Sequence, residues 1–517
     1  MSHRRKMWAV GVVVCAISAV WAQDSSTSPV GGQPDTGQPA AQEPIAAYGQ
    51  QGSSSTTMSE NPPLSGLDLP SLEPHSAPLS YLQPGATFSE SADSNVTNAL
   101  APGSFTSITR ALGTLTLHRL WSHYDLAVDY VGGVGYYDLS GQGWKNLQQM
   151  DLDQKITWRR GELSVRDSFS YLPEGNFGGA YGSIGSQGIQ SLGGTGFSSF
   201  WGGTALGTLG VAPRILNVSL AEVDQMLTPK STITATGGYG FTHFYGNDFS
   251  GVSFIGSSQV SAQVGYNRLI SPQTQVAVVY GYQGFDFTVL DTAFHTHVVE
   301  GIYGHRITGR MDLLLGAGPQ FTFIDTESAV CNPPSDPLFL CTQLGGTLGS
   351  TTVKNTKLGA VVQARLRYHF SRSSTSLMYE QFETSGSGLF AGAQANIVRF
   401  DYTKPLSRVW NAVFDLGYTH NVRTQPLTLA QVEQCTTSNF TQGACPANDA
   451  NSYDFGFAGA GLHRVFGRSW HAFASYQFNQ LAFGTSFCLT NEPCSRISNR
   501  QVVTVGLDWT PRPIRLD

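Results

Sequence analysis

The chain has 517 residues, of which 13% are charged and 58 are glycine, so it is poor in charge and rich in glycine for a soluble domain. A formal net charge of −6 argues against nucleic-acid binding. After the N-terminus no uncharged apolar run approaches the roughly 20 residues of a membrane-spanning helix, which excludes helical membrane proteins. A chain of this kind that crosses a membrane must do so with strands.

Residues 1–22 are predicted to be a signal peptide. Arg4, Arg5 and Lys6 precede an apolar stretch, and residues 20–22 form a cleavage site. Cys15 lies within the apolar stretch and lacks the preceding small residue of a lipoprotein site. The mature chain is therefore expected to be exported with six cysteines.

Residues 23–83 are rich in Ser, Pro, Gly, Gln and Thr and show no sustained apolar periodicity. This composition predicts a disordered periplasmic segment. The alternative is a docking segment that contacts peptidoglycan or a partner. The segment is too short and too polar to fold into the plug domain of an energised transporter. Residues 84–517 form the remaining predicted unit, for which the pattern below predicts a β-barrel.

Apolar and polar side chains alternate in long runs after residue 84. In 354–370, Leu358, Val362 and Leu366 share one face, and the other face is largely polar. The runs 311–325 and 408–421 repeat the pattern. Soluble sandwich strands average five or six residues, whereas a tilted membrane strand needs about nine to eleven, which these runs supply. Aromatic residues end the apolar stripes, as expected for interfacial girdles: Trp410, Tyr418, Tyr368, Phe370 and Trp509.

The pattern predicts an all-β, transmembrane, antiparallel up-and-down β-barrel of about 18 strands. The first strand alternates poorly, so 16 strands is the alternative. Short periplasmic turns alternate with long external loops such as 173–212, 326–353, 422–451 and 484–499, as in bacterial outer-membrane barrels. The predicted strands are 84–94, 105–119, 124–138, 147–159, 162–172, 213–226, 231–245, 257–269, 274–286, 293–306, 311–325, 354–370, 375–384, 392–403, 408–421, 452–465, 469–483 and 500–510.

The six remaining cysteines form three close pairs, all in predicted external loops. An exported chain meets an oxidising compartment, so each pair is predicted to be a disulfide that closes one loop. None has the short spacing with a histidine partner that a metal site needs, so no metal is expected. The pairs are Cys331 with Cys341, Cys435 with Cys445, and Cys488 with Cys494.

The strand–turn–strand–loop plan over 84–510 resembles bacterial outer-membrane β-barrel proteins of the porin-like kind. The segments 166–175 and 303–312 carry the resemblance most clearly. It implies a location in the Gram-negative outer membrane, with membrane lipid, small solutes and the barrel-assembly machinery as partners. It names a fold rather than a ligand, and no substrate transfers with it. Oligomeric state is left open.

An eighteen-stranded barrel is wide enough for an aqueous lumen, so the predicted function is a channel for passive or substrate-selective diffusion of small solutes. Charged side chains of both signs on the inward face could set up a transverse field across the channel. The alternative is that they only pair with one another and hold the wall together. The predicted lumen-lining residues are Asp125, Asp129, Asp151, Asp153, Lys155, Arg159, Arg166, Lys357, Arg365, Arg367, Arg399, Asp401 and Asp415.

The glycine-rich loop 173–212 is expected either to fold into the lumen as a constriction or to form an external flap. No catalytic, cofactor-binding or metal-binding motif is found, so the chain is predicted not to be an enzyme and to hold no cofactor. The strongest candidate for a hydrolase site is Asp291 with His295 and His297. A surface-exposed binding or structural barrel without an open pore is the other alternative.

Overall fold

The computed structural model describes residues 63–66, 80–96, 105–139, 143–172, 214–245, 255–287, 292–332, 347–386, 390–424, 451–484 and 497–516. The predicted signal peptide and most of 23–83 lie outside these residues. Within the described part of the chain, no helix is long and apolar enough to span a membrane.

The described chain is one closed antiparallel barrel of eighteen long strands in up-and-down order. Each strand pairs with its neighbours in the chain, and the last long strand pairs with the first. The prediction of eighteen strands is confirmed. The strands are β1 Tyr81–Asp93, β2 Thr106–Leu120, β3 Tyr124–Tyr137, β4 Gly143–Trp158, β5 Gly161–Leu172, β6 Arg214–Thr228, β7 Ser231–Phe244, β8 Ser257–Ser271, β9 Thr274–Phe287, β10 Thr292–Thr308, β11 Met311–Asn332, β12 Thr347–His369, β13 Ser374–Thr384, β14 Ala393–Pro405, β15 Trp410–Arg423, β16 Ser452–Phe466, β17 Trp470–Phe483 and β18 Ile497–Trp509, with a short β19, Ile514–Arg515.

The barrel has an apolar outside and a largely polar inside, the reverse of a soluble protein. Leu358 is 69% exposed and Val278 is 61% exposed on the outer surface, whereas Gln320 on the inner surface is 2% exposed. Within the closed wall each strand is paired on both sides, so the backbone polar groups of the strands are satisfied there. An outer surface of this kind is stable only in contact with lipid.

The seam between β1 and β18 is held by polar side chains on its inner face. Arg500 donates from Nε to Oδ2 of Asp93 over 2.8 Å, and both side chains are buried. The hydroxyls of Ser91 and Thr504 lie 2.9 Å apart on the same face. The poor alternation of the first predicted strand follows from this seam, because its inward positions are small or charged and its outward positions include Glu90.

The chain continues past the last long strand and extends the seam. Ile514 pairs with Leu82, and the amide of Leu516 donates to the carbonyl of Ser80 over 3.0 Å. The first strand begins at Tyr81, three residues before the predicted boundary at 84. The tail therefore lies beside the start of β1, at the end of the barrel that carries the short turns.

The hairpin β11–β12 is longer than its neighbours. Its two strands pair from Met311 with Tyr368 as far as Asn332 with Thr347, whereas β12 pairs with β13 only from Val362 to His369. The remainder of the hairpin extends beyond the adjoining wall at the loop end. The predicted strand 311–325 is therefore too short, and residues 326–332 and 347–353 of the predicted loop 326–353 belong to β11 and β12.

Residues Pro63–Gly66 lie inside the barrel. Ser65 is hydrogen-bonded to side chains of β7 and β8, and Leu64 packs with apolar residues of β9, β10 and β11. The sequence predicted only a disordered segment here, because four small or apolar residues carry no periodic pattern.

Candidate functional site

The inner surface of the barrel is the candidate site, and its first cluster is acidic. Asp129 of β3 stands directly opposite Asp151 of β4. Asp151 accepts hydrogen bonds from Gln149 over 3.0 Å and from the hydroxyl of Ser168. Asp129 accepts from Thr116 over 2.7 Å. The carboxylates of these two neighbouring strands thus lie side by side on one wall, and each accepts hydrogen bonds from neutral donors.

Cationic side chains adjoin this cluster toward the turn end. Arg166 of β5 lies 3.3 Å from Asp153 of β4. His118 Nε2 lies 2.8 Å from Asp125, and Asp125 stands opposite Lys155, which is buried. The charged side chains of this wall therefore form ion pairs between neighbouring strands.

The second cluster lies on β11 to β15, on the opposite side of the ring of strands. Arg399 lies 3.1 Å from Asp401 and 3.0 Å from Asp415. Arg367 donates from Nε to Asp312 over 3.0 Å. The nearby Arg365 is also directed inward. This wall carries three guanidinium groups and, with Glu380 of β13, four carboxylates, so its charge is mixed.

Both clusters lie in the half of the barrel nearer the short turns, with β4 and β13 separated by half of the strand ring. The ion pairs named above each join residues of one wall. Charged side chains of one wall therefore pair with one another, as the alternative in the sequence analysis expected. The two walls that carry them still lie on opposite sides of the strand ring. Fixed charges on facing walls create a field across the space between them.

One of the predicted lumen-lining residues, Arg159, lies off the inner wall, and another, Lys357, lies on the inner face but apart from both clusters. Arg159 is exposed in the two-residue turn after β4, so it is not on the inner wall. Lys357 lies near the loop end, where its Nζ is 3.4 Å from Oε1 of Glu383. The other predicted positions are on the inner face of their strands.

Other inward charged residues were not predicted as lumen-lining. Glu300 of β10 accepts a hydrogen bond over 2.7 Å from Gln363 of β12. Glu222 of β6 and Arg110 of β2 are buried on the inner face. The period-two alternation could have predicted these three residues, since each occupies an inward position of its strand.

An apolar cluster joins inner faces of strands that are not neighbours in the sheet. Leu220 of β6 packs in one buried group with residues from β10, β12, β13 and β14, which are not its sheet neighbours. Strands four apart are separated by roughly 19 Å along a wall at ordinary spacing, so these side chains meet only because the inner faces approach each other. The members of this apolar seal are Leu220, Val298, Val361, Phe382, Ala395 and Ile397.

The loop between β13 and β14 folds inward at the opposite end from the turns. Phe390 is fully buried, with its ring 5.3 Å from that of Tyr453 and 4.5 Å from the guanidinium of Arg423. Ala391 packs with the phenylalanine cluster of β9 and β10. Gly392 has φ of 77° and leaves no room for a Cβ against the ring of Phe294. This loop therefore crosses part of the lumen at the loop end.

The predicted constriction, loop 173–212, lies outside the described residues. So do five of the six cysteines and the side chain of Cys331, so the disulfides stay a prediction.

The histidines considered for hydrolysis lie on the outer face of β10. His295 Nδ1 is 2.9 Å from the hydroxyl of Tyr282, and His297 Nδ1 is 2.8 Å from that of Tyr280. Asp291 lies outside the described residues. Within the described part of the chain, no group of three potential metal ligands occurs. These histidines form an aromatic belt with the tyrosines, as at a membrane interface.

One acidic residue lies on the outer, lipid-facing surface. Asp167 of β5 accepts hydrogen bonds from Asn217, over 3.1 Å, and from the hydroxyl of Ser219, both on β6. These bonds compensate part of the cost of a carboxylate at this position.

Comparison with known proteins finds no matching family model and no matching curated protein. Comparison with solved structures gives matches of low identity, among them the following three, all with TM-scores of 0.40 or below. Pseudomonas aeruginosa OpdQ is 8% identical, with 84% of this chain and 99% of that chain covered and a TM-score of 0.38. P. aeruginosa OpdL is 9% identical, with 83% and 98% covered and a TM-score of 0.37. The ferric-catecholate import receptor Fiu of E. coli K12 is 9% identical, with 82% and 81% covered and a TM-score of 0.40. The assignment of the fold rests on this chain's own strand order and register.

Proposed function

We propose that this protein is an outer-membrane channel for the diffusion of small polar solutes, and that the conformation described here is closed. The observation that carries the proposal is the pair of charged surfaces on opposite inner walls, one on β3–β5 and one on β11–β15, each of which carries both carboxylates and cationic side chains. A barrel that only anchors surface loops has no need of such a surface. A solute that passes between these walls exchanges water for fixed charges of both signs.

The outer surface supports the membrane location. Its apolar side chains are exposed along the strands, and Trp470 pairs with Trp509 at the turn end, where an interfacial girdle is expected. A signal peptide, export and insertion by the barrel-assembly machinery complete this proposal. Cell fractionation with detection of the mature N-terminus would test it, and recovery with the inner membrane would contradict it.

The test of the channel is single-channel conductance of the refolded mature protein in a planar bilayer. We expect mostly closed records with brief open steps, because the apolar seal and the inward loop close the lumen. Opening the seal with Phe382→Ala should prolong the steps, whereas Phe414→Ala, on the outer face, should not. A folded barrel in which Phe382→Ala gives no steps would exclude a channel.

A binding or structural barrel without a pore is the second candidate. The apolar seal favours it, because side chains from non-adjacent strands meet there and bury one another as in a protein core. It predicts that the Phe382→Ala barrel is less stable and still fails to conduct. Conductance and unfolding measured on the same variant therefore separate the two functions.

A further inference from the structure

The inner wall of β6 to β11 forms a seat for residues 64–66, and the first part of this seat is apolar. Leu64 is 4% exposed and packs with four buried side chains of the wall. Burial of a leucine side chain in a polar lumen is favourable only where such an apolar pocket exists. The pocket consists of Ala277, Val279, Ile302 and Leu314.

The second part of the seat binds the backbone and hydroxyl of Ser65. Its amide donates to Asn267 Oδ1 over 3.0 Å, and its carbonyl accepts from Gln263 Nε2 over 2.8 Å. The Ser65 hydroxyl also contacts the amide of Asn267 and the hydroxyl of Thr234. Both backbone groups of Ser65 and its side chain are therefore satisfied by the wall. The segment itself is a turn, in which the Gly66 amide donates to the Pro63 carbonyl over 3.0 Å.

Glycines on both partners allow the close approach. A Cβ on Gly265 would lie 2.3 Å from Cβ of Ser65, and one on Gly304 would lie 2.9 Å from Cδ2 of Leu64. A Cβ on Gly66 would lie 2.7 Å from Oε1 of Glu222. The wall and the segment are complementary in shape at three successive residues.

The segment crosses the strands, since Leu64 contacts β9 to β11, Ser65 contacts β7 and β8, and Gly66 approaches β6. It lies in the same half of the barrel as the two charged clusters. The 14 Cα-to-Cα steps from Gly66 to Ser80 span at most about 50 Å when the chain is extended. The segment can therefore leave the seat and remain tethered beside the short turns, where β1 begins.

We propose that the inner wall of β6 to β11 is a binding site for an uncharged Leu-Ser-Gly segment in a turn conformation. Its occupant is residues 64–66 of the same chain, which act as a tethered plug. The binding site stands on the contacts alone, whereas the plug role rests on the proposed channel function. Release of the segment widens the passage beside the charged clusters, and rebinding narrows it.

The binding site is tested by cross-linking in the full-length mature chain. Ser65→Cys with Thr234→Cys replaces two hydroxyls in contact, so oxidation should link the two peptides, as detected by mass spectrometry. Ser65→Cys with Ser475→Cys, which places the second thiol on the inner face of β17, should give no such link. Absence of the 65–234 link, or equal yields for both pairs, would overturn the proposed seat.

The plug role is tested by conductance of the same cross-linked protein before and after reduction. We expect open probability to rise on reduction, and to rise roughly ten- to a hundredfold over wild type in Leu64→Asp, the range set by burial of one leucine. Gly265→Ala should also release the segment. Gly459→Ala, an inward glycine whose Cβ would meet only atoms at 3.8 Å or beyond, should leave conductance unchanged.

The outcomes separate the two proposals. A conducting barrel whose open probability is the same when linked, reduced or carrying Leu64→Asp would overturn the plug and leave the channel standing. A barrel that forms the 65–234 link and conducts in no variant would overturn the channel, and the plug role with it, while the binding site would be confirmed by the link.

Discussion

The ion pair across the closing seam gives a stability prediction that the geometry makes quantitative. Asp93 and Arg500 join β1 to β18, and their side chains are 0% and 3% exposed. Arg500→Met keeps most of the side-chain volume and leaves a buried carboxylate without this partner. Removing one member of a buried pair costs about 3–5 kcal/mol, much more than the loss of an exposed pair.

The assay is unfolding of the refolded barrel in lipid vesicles by guanidinium, followed by tryptophan fluorescence. Arg500→Met should lower the free energy of unfolding by about 3–5 kcal/mol. The double variant Asp93→Asn with Arg500→Met should recover part of that loss, because no charge is then left behind. Arg310→Met, in an exposed turn, is the matched control and should change stability by less than about 1 kcal/mol.

The reasoning would be refuted by an Arg500→Met barrel as stable as the Arg310→Met control. It would also be refuted by a double variant less stable than Arg500→Met. Either result would mean that backbone pairing of β1 with β18 holds the seam without help from the buried charges.

Three further predictions concern the lumen and the loops. Asp129→Asn combined with Asp151→Asn should reduce cation preference, read as a shift of the reversal potential toward anions in a salt gradient, because it removes two facing carboxylates; an unshifted potential would place these groups off the solute path. Phe390→Ala should cost about 3–5 kcal/mol in unfolding experiments, as expected for a fully buried phenylalanine; a loss below about 1 kcal/mol would mean that the loop does not pack against Tyr453. Alkylation of the mature protein without reduction should label none of its six cysteines, and reduction should expose all six; labelling before reduction would contradict the three disulfides.

Much of the barrel could be predicted because its signal is local. Each membrane strand must alternate apolar and polar side chains to face lipid and lumen, so the strand count and the inward face of segments such as 354–370 follow from the sequence alone. The predicted strand bounds were wrong where the strands leave the wall and no longer need to alternate. The hairpin beyond Asp325 extends past the adjoining wall, where no lipid requires an apolar face, and its polar residues were assigned to a loop.

The charged residues of the lumen could be placed on the inner face, but their partners could not be derived in full. Alternation shows that Arg399 and Asp415 point inward, and strand register then brings them together. Arg159 was misplaced because alternation was continued by one residue into a turn, where side-chain direction is no longer set by the pleat.

By itself, the sequence predicted a barrel of about eighteen strands, with sixteen as the alternative and charged groups inside, because period-two patterning and turn placement act over ten or fifteen residues. Only the tertiary structure decided what occupies the interior. Leu220 and Phe382 belong to one buried cluster although they are 162 residues apart, and Ser65 is hydrogen-bonded to Asn267, 202 residues away. No local pattern encodes such contacts, because they depend on how the closed wall curves and on which inner faces then approach one another.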